Sequence, residues 1–311
     1  MKNFIHKLPV PMAGLMLALA ALGNLLQSYS ESIRPLFGVL SAVLALLLTT
    51  KVVLYFGDVR KDLQNPVMAS VAPTFSMGLI LLAGYLVKMS VPVAFALWIA
   101  AIVLHWLFIL YFTVKFLFHF DFQKVFASYF IVYVGIVTVS VTAPAFGQTG
   151  LGRAMFWFGF AAYLPLLLLV LYRLLTIKNF ANPVKPTNAI FAAPAALCLA
   201  GYLASFEQKS TAMIVFLLIL SQLLYLAVLC GLPAMMKAGF FPSYSGLTFP
   251  LVITAISLKQ ASGFFAKAGT PVGFLNVLVP VETGIAGIAV LYVLICYLSF
   301  LFRKTPAQKQ P

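Results

Sequence analysis

The feature that narrows this chain most is a series of ten apolar stretches. Each is about as long as the roughly 20 residues a helix needs to cross the hydrocarbon core of a bilayer. Read between polar, proline and glycine punctuation, they cover residues 9–28, 36–56, 67–88, 92–118, 127–146, 153–175, 189–206, 211–233, 246–266 and 278–302. Lipid offers no partner to a backbone N–H or C=O, so each stretch must satisfy its own groups as a helix. The expected fold class is an all-α membrane protein, with residues 1–311 as one integral membrane domain. Residues 2–23 imitate an export signal, with Lys2 and Lys7 ahead of an apolar core. They are read as the first span, because no soluble domain follows for export.

The surface agrees. Charged residues make up 8% of the chain and hydrophobic ones 63%, whereas a soluble domain carries roughly 25% charged residues. The net charge of +14 comes from 20 Lys and Arg against six acids, Glu31, Asp58, Asp62, Asp121, Glu207 and Glu282. The basic residues sit in short loops between spans rather than along one stripe, which argues against nucleic acid as a partner. With the N-terminus inside, one side collects fourteen: Lys2, Lys7, Lys51, Arg60, Lys61, Lys115, Lys124, Arg173, Lys178, Lys185, Lys237, Arg303, Lys304 and Lys309. The other side collects five, Arg34, Lys88, Arg153, Lys209 and Lys267, and Lys259 falls inside a span. By the positive-inside rule both termini are expected in the cytoplasm, with the chain in the inner or plasma membrane. Cys198, Cys230 and Cys296 lie in apolar stretches without CxxC spacing and read as small side chains, not disulfides or metal ligands.

The chain also repeats itself. Asn65-Pro66-Val67 and Ala83-Gly84-Tyr85-Leu86 in span three return at the same separation as Asn182-Pro183-Val184 and Ala200-Gly201-Tyr202-Leu203 around span seven. Phe126-Ala127-Ser128-Tyr129 before span five is echoed by Phe241-Pro242-Ser243-Tyr244 before span nine. Both offsets equal two helical hairpins, so the expected bundle repeats hairpins in parallel and its odd spans are equivalent. Pro73, Pro144, Pro194 and Pro250 fall within or near the ends of odd spans, while Pro165 is read as the one even-span proline. A proline kinks a helix and frees a carbonyl, which a membrane tolerates beside a cavity. The odd spans are thus expected to form the inner ring. The alternative is that prolines are simply common in membrane helices.

Chemistry for catalysis is scarce. With three histidines and six mostly loop-bound acids, and with no P-loop, HExxH or GxSxG motif, the chain is not read as an enzyme. No metal site and no cofactor are expected, and His105 reads as an interhelical hydrogen-bonding group. The odd spans contain no carboxylate, which leaves anions or neutral solutes rather than cations as the cargo. Glu282 is read as a first-turn residue of span ten, where a helix N-terminus favours negative charge. Lys259 either makes the pathway electropositive or snorkels to the outer surface. At 100° per residue, Phe264 shares a face with Ser257, Gln260 and Ala261, as a pore wall interrupted by an aromatic plug would.

The sequence resembles the tellurite-resistance/dicarboxylate transporter family, which includes the bacterial TehA proteins and the plant guard-cell slow anion channels. The resemblance rests on Pro9-Val10-Pro11 leading into Gly14 and Leu19-Ala20-Ala21-Leu22. It continues through Asn65-Pro66-Val67 and through Phe249-Pro250-Leu251-Val252-Ile253-Thr254-Ala255-Ile256 to Phe264. It implies five helical hairpins in a quasi-fivefold bundle, with odd helices around a central pore in each subunit of a homotrimer. It places the occluding phenylalanine at Phe264 with Phe265 beside it, the first-helix kink at Gly14 and a pore-facing leucine at Leu17. The function expected is a gated channel for small inorganic or organic anions, embedded in membrane lipid. The alternatives are a secondary transporter for tellurite, sulfite or C4-dicarboxylates, and a membrane scaffold without transport.

Overall fold

A computed structural model describes residues 2–177 and 180–303. Of the basic residues counted above, Lys178, Lys304 and Lys309 lie outside the described residues. The described chain is helical, with no strand among the described residues. In chain order the apolar segments are α1 (Met12–Leu26), α2 (Ile33–Leu54), α3 (Pro66–Leu86), α4 (Val91–Leu117), α5 (Tyr129–Tyr133 continuing as Gly135–Phe146), α6 (Thr149–Thr176), α7 (Lys185–Ser205), α8 (Thr211–Met236), α9 (Pro242–Lys267) and α10 (Leu275–Phe302). Eight of them are long and apolar enough to span a bilayer, and α1 and α5 are the shorter two. Two small helices, Lys2–Lys7 and Phe56–Asp62, lie outside this set.

Burial separates two rings. At least 61% of the apolar window is buried inside the protein in α3, α7 and α9, against at most 33% in α2, α4, α6, α8 and α10. In α1 nearly every residue from Met12 to Gly23 is buried. Each even helix packs back on the odd helix before it, which gives five hairpins. The even helices show lipid their large apolar residues, among them Leu46, Leu168, Leu223 and Ile288.

The inner ring closes on itself through at least one hydrogen bond at every seam. Tyr85 of α3 donates to the Ala20 carbonyl of α1 at 2.6 Å, and Ser70 of α3 meets Ser128 at the head of α5 at 2.6 Å. Ser205 of α7 donates to the Ser140 carbonyl of α5 at 2.6 Å, and Thr254 of α9 donates to the Ala192 carbonyl of α7 at 3.3 Å. Lys259 of α9 completes the circle on the Leu25 carbonyl of α1 at 3.0 Å. In lipid there is little hydrophobic drive between helices, so close packing and such polar contacts hold the bundle.

Prolines do not distinguish the rings by number, because Pro165, Pro233 and Pro280 all lie inside even helices. They distinguish them by position. Pro73 sits at the break between the Pro66–Val71 and Thr74–Leu86 halves of α3. Pro144 lies in the tight Ala143–Phe146 turn that ends α5. Pro194 and Pro250 occupy first turns where 3-10 segments of α7 and α9 pass into regular helix. A first-turn proline lacks only an N–H that had no helical partner, so these sites redirect the chain at little cost.

Tight packing at the first hairpin gives a direct stability test. A Cβ on Gly38 would lie 2.5 Å from the Tyr85 ring. That ring cannot yield, because its hydroxyl is bonded to Ala20 and the Arg34 guanidinium lies 4.3 Å from its centroid. Gly38→Ala is expected to destabilise the protein by about 1–3 kcal/mol and lower its thermal unfolding midpoint in detergent. Gly57→Ala, with open space around its Cβ, is expected to leave the midpoint unchanged.

Candidate functional site

The parallel inner ring encloses two cavities end to end. The first is formed by the N-terminal halves of the odd helices and has a volume of about 200 Å³. Its wall includes Gly14 and Leu17 of α1, Val71 and Thr74 of α3, Phe130 and Gly135 of α5, Ile190 and Pro194 of α7, and Pro250 of α9. The second is formed largely by their C-terminal halves and has a volume of about 700 Å³. All five odd helices contribute to both. Leu197 and Phe249 line both cavities, with 3% and 7% of their surface exposed. They are the partition.

Local sequence explains why the partition falls there. α3 breaks at Pro73, α5 between Tyr133 and Gly135, α7 ahead of Pro194 and α9 at Thr248, ahead of Pro250. Ahead of Pro250 the backbone departs from helix at Thr248 (φ −102°, ψ −78°) and regular helix starts at Phe249, so Phe249 stands at the bend of α9. The freed carbonyls are met locally: Thr74 donates to Val71, Ser76 to Pro73, Thr138 to Gly135 and Thr248 to Ser245, all at 2.6–2.8 Å. The backbone therefore bends inward without leaving these groups unsatisfied.

The two ends differ in charge. The first cavity has no ionisable side chain in its wall. The second carries Arg34 and Lys259 against Glu31. Among the described residues neither cation pairs with an acid in an ion pair. Lys259 Nζ donates to the Leu25 carbonyl at 3.0 Å and to Ser28 Oγ, and lies 4.9 Å from the Tyr29 ring centroid. Arg34 donates to Asn24 Oδ1 at 2.9 Å and to the Gly84 carbonyl at 3.1 Å. Both thus cap the C-terminal carbonyl ends of inner helices, where a cation offsets the negative end of the helix dipole.

The expected site residues are partly gathered here. Gly14, Leu17, Pro194 and Pro250 line the first cavity, and Lys259 and Gln260 the second. Pro73 adjoins the first through Thr74, and Pro144 lies between lining residues Thr142 and Ala145 of the second. Ser257 is fully buried, donates to the Thr254 carbonyl at 2.9 Å and lines neither cavity. Phe264 and Phe265 also line neither cavity and pack edge-to-face at 5.5 Å beyond the second one. The cavity face of α9 is Phe249, Ile253, Ile256 and Gln260, so the aromatic between the cavities is Phe249 rather than Phe264. Glu282 is likewise not a first-turn residue: α10 begins at Leu275, and Glu282 is 2% exposed, about two turns in. His105 is a buried interhelical group, bonded to Ser76 Oγ at 2.9 Å and the Val132 carbonyl at 3.2 Å.

The inner ring of bent parallel helices thus surrounds two cavities that share Leu197 and Phe249. The SLAC1 family, described as voltage-dependent anion channel, matches residues 7–298. This chain belongs to that family. It is an integral membrane protein of an anion channel and transporter family, and the matched span takes in all ten helices but the last residues of α10. No curated protein matches the chain. Three residues of the site, Arg34, Leu197 and Phe249, escaped the sequence reading, and Leu197 carries no signal of its own there. Arg34 had been counted only as a loop charge, and Phe249 had been quoted only within a motif. The signal for Phe249 was its place directly before Pro250.

Proposed function

We propose that the two cavities are the vestibules of one anion pathway per subunit, shut in this conformation by Phe249 and Leu197. The observation that carries this reading is that all five inner helices line both vestibules while no carboxylate lines the first and only Glu31, outnumbered by two cations, lines the second. Cation pathways place carboxylates at membrane depth. The first vestibule instead gathers the N-terminal starts of α1, α3, α7 and α9, whose partial positive charge favours anions. The charge bias of the loops puts this vestibule on the cytoplasmic side. The subunit is a passive channel for small anions, assembled as a homotrimer with three separate pores. A carrier for tellurite, sulfite or C4-dicarboxylates is the lesser reading, since the one carboxylate on the path, Glu31, is exposed in the second vestibule rather than held at membrane depth for proton coupling.

Reversal potentials of the reconstituted protein in asymmetric chloride, nitrate and gluconate test it. The expected shift follows the small-anion gradient. Cation-selective current, or saturable flux that moves protons with each anion, overturns the channel reading.

A further inference from the structure

Glu282 has no role in the anion pathway, and it lines neither cavity. Of the six acids it alone is buried. Its neighbours across the gap are Gln222 and Tyr225 of α8, and Tyr225 is also 2% exposed. Three polar atoms in this cluster have no hydrogen-bond partner: Glu282 Oε2, Tyr225 Oη and Gln222 Nε2. Buried polar groups are nearly always paired; the Gln222 amide stays within reach of the carboxyl, and Tyr225 Oη is left for an occupant that can bridge it to Glu282.

The chemistry of the cluster narrows that occupant. An anion is excluded by the carboxyl. A divalent cation needs several anionic or imidazole ligands, and no group of three His, Cys, Asp or Glu side chains exists among the described residues. No basic side chain supplies a counter-charge. The ion pairs among the described residues are His6–Asp58 and Lys124–Asp121, both elsewhere. α10 packs on α9 and α1. On α9, Lys259 is committed to Leu25 and Ser28, and Lys267 lies exposed at the far end. α1 carries no charge, and α10 itself adds only Tyr292, Cys296 and Tyr297, more than two turns away. A bare carboxylate enclosed this way costs several kcal/mol unless something neutralises it.

We propose that Glu282, with Tyr225 and Gln222, forms an exchangeable proton-binding site behind α9. The proton passes from hydronium to a carboxylate oxygen and leaves water. The protonated carboxyl then offers one donor to Tyr225 Oη and accepts from the Gln222 amide. α8 and α10 both hold α9, so occupancy of this site sets how firmly the helix bearing Phe249 is clamped. That consequence for flux rests on the proposed channel, whereas the site itself does not.

The test is infrared difference spectroscopy of the full-length protein in detergent, between acidic and alkaline buffer. The wild-type protein is expected to show a protonated-carboxyl carbonyl band. Glu282→Gln is expected to lose it, and Tyr225→Phe to shift it. An identical band in Glu282→Gln, or no carboxyl band in the folded wild type, overturns the proposal. If Glu282→Gln is not monodisperse, Tyr225→Phe decides alone: a shifted band supports the site and an unmoved one overturns it. This readout needs no transport, so it stands apart from any failure of the channel reading.

Discussion

Phe249→Ala is expected to join the two cavities and raise anion flux by about tenfold or more, since each 1.4 kcal/mol taken from a barrier is worth a factor of ten. Phe249 and Leu197 are the residues shared by both cavity walls, and α9, α7 and α1 hold the ring at the bend ahead of Pro250. Truncation to Ala removes the aromatic that fills the axis. Leu197 stays as the remaining residue shared by both walls. Phe249→Leu should give a smaller rise, because it keeps part of the bulk. Phe264→Ala should leave flux unchanged, because Phe264 packs on Phe265 beyond the second cavity. Anion efflux from vesicles at equal protein density reads all three. Losing a buried Phe costs about 3–5 kcal/mol in a packed core, so each variant is first checked for intact helical signal. Equal efflux from Phe249→Ala and wild type would place the barrier elsewhere.

The fold was largely legible because its signals are long. Apolar stretches of about 20 residues survive errors of a few positions at each end: α2, expected at 36–56, spans Ile33–Leu54, and α10, expected at 278–302, spans Leu275–Phe302. The repeat was legible for a physical reason too. Asn65 of the Asn-Pro-Val motif caps α3 by accepting from the Val67 and Met68 amides at 2.9 and 3.3 Å, and Val67 and Val184 both line the first cavity.

The site was less legible, because it depends on which face of each helix turns inward. α9 scatters polar residues over more than one face (Thr254, Ser257, Lys259, Gln260 and Ser262), so its sequence offers Ser257–Phe264 and Phe249–Gln260 as equally plausible faces. Only the bend before Pro250 and the packing of α7 and α1 choose between them. Glu282 was misplaced because α10 begins earlier than hydropathy indicated, at Leu275 rather than 278. A start displaced by one turn converts a capping acid into a buried one. Arg34 was missed because its partners, Asn24 and the Gly84 carbonyl, are distant in sequence.

Lys259 and Arg34 carry the second large effect. α1, α3 and α5 bring their C-terminal ends to the second cavity, and each end acts like about half a negative charge. Left alone, that field would repel the anions the first cavity attracts. Lys259 on Leu25 and Arg34 on Gly84 cancel it at two of the ends. Lys259→Gln or Arg34→Gln is therefore expected to reduce anion current entering from that face about fivefold, for a loss on the order of 1 kcal/mol at partly screened distances. Glu substitutions at the same positions should reduce it further and turn the current–voltage relation rectifying. High ionic strength should shrink every one of these effects, because the vestibule is open to solvent and its charges are screened within about 10 Å at 0.1 M salt. Lys259→Arg separates field from scaffold: it keeps the charge and the donor to the α1 carbonyls, so conduction near wild type is expected. If Lys259→Gln conducts like wild type at low salt while folding normally, the lysine only ties α9 to α1, and the anion preference must come from the helix starts around the first cavity.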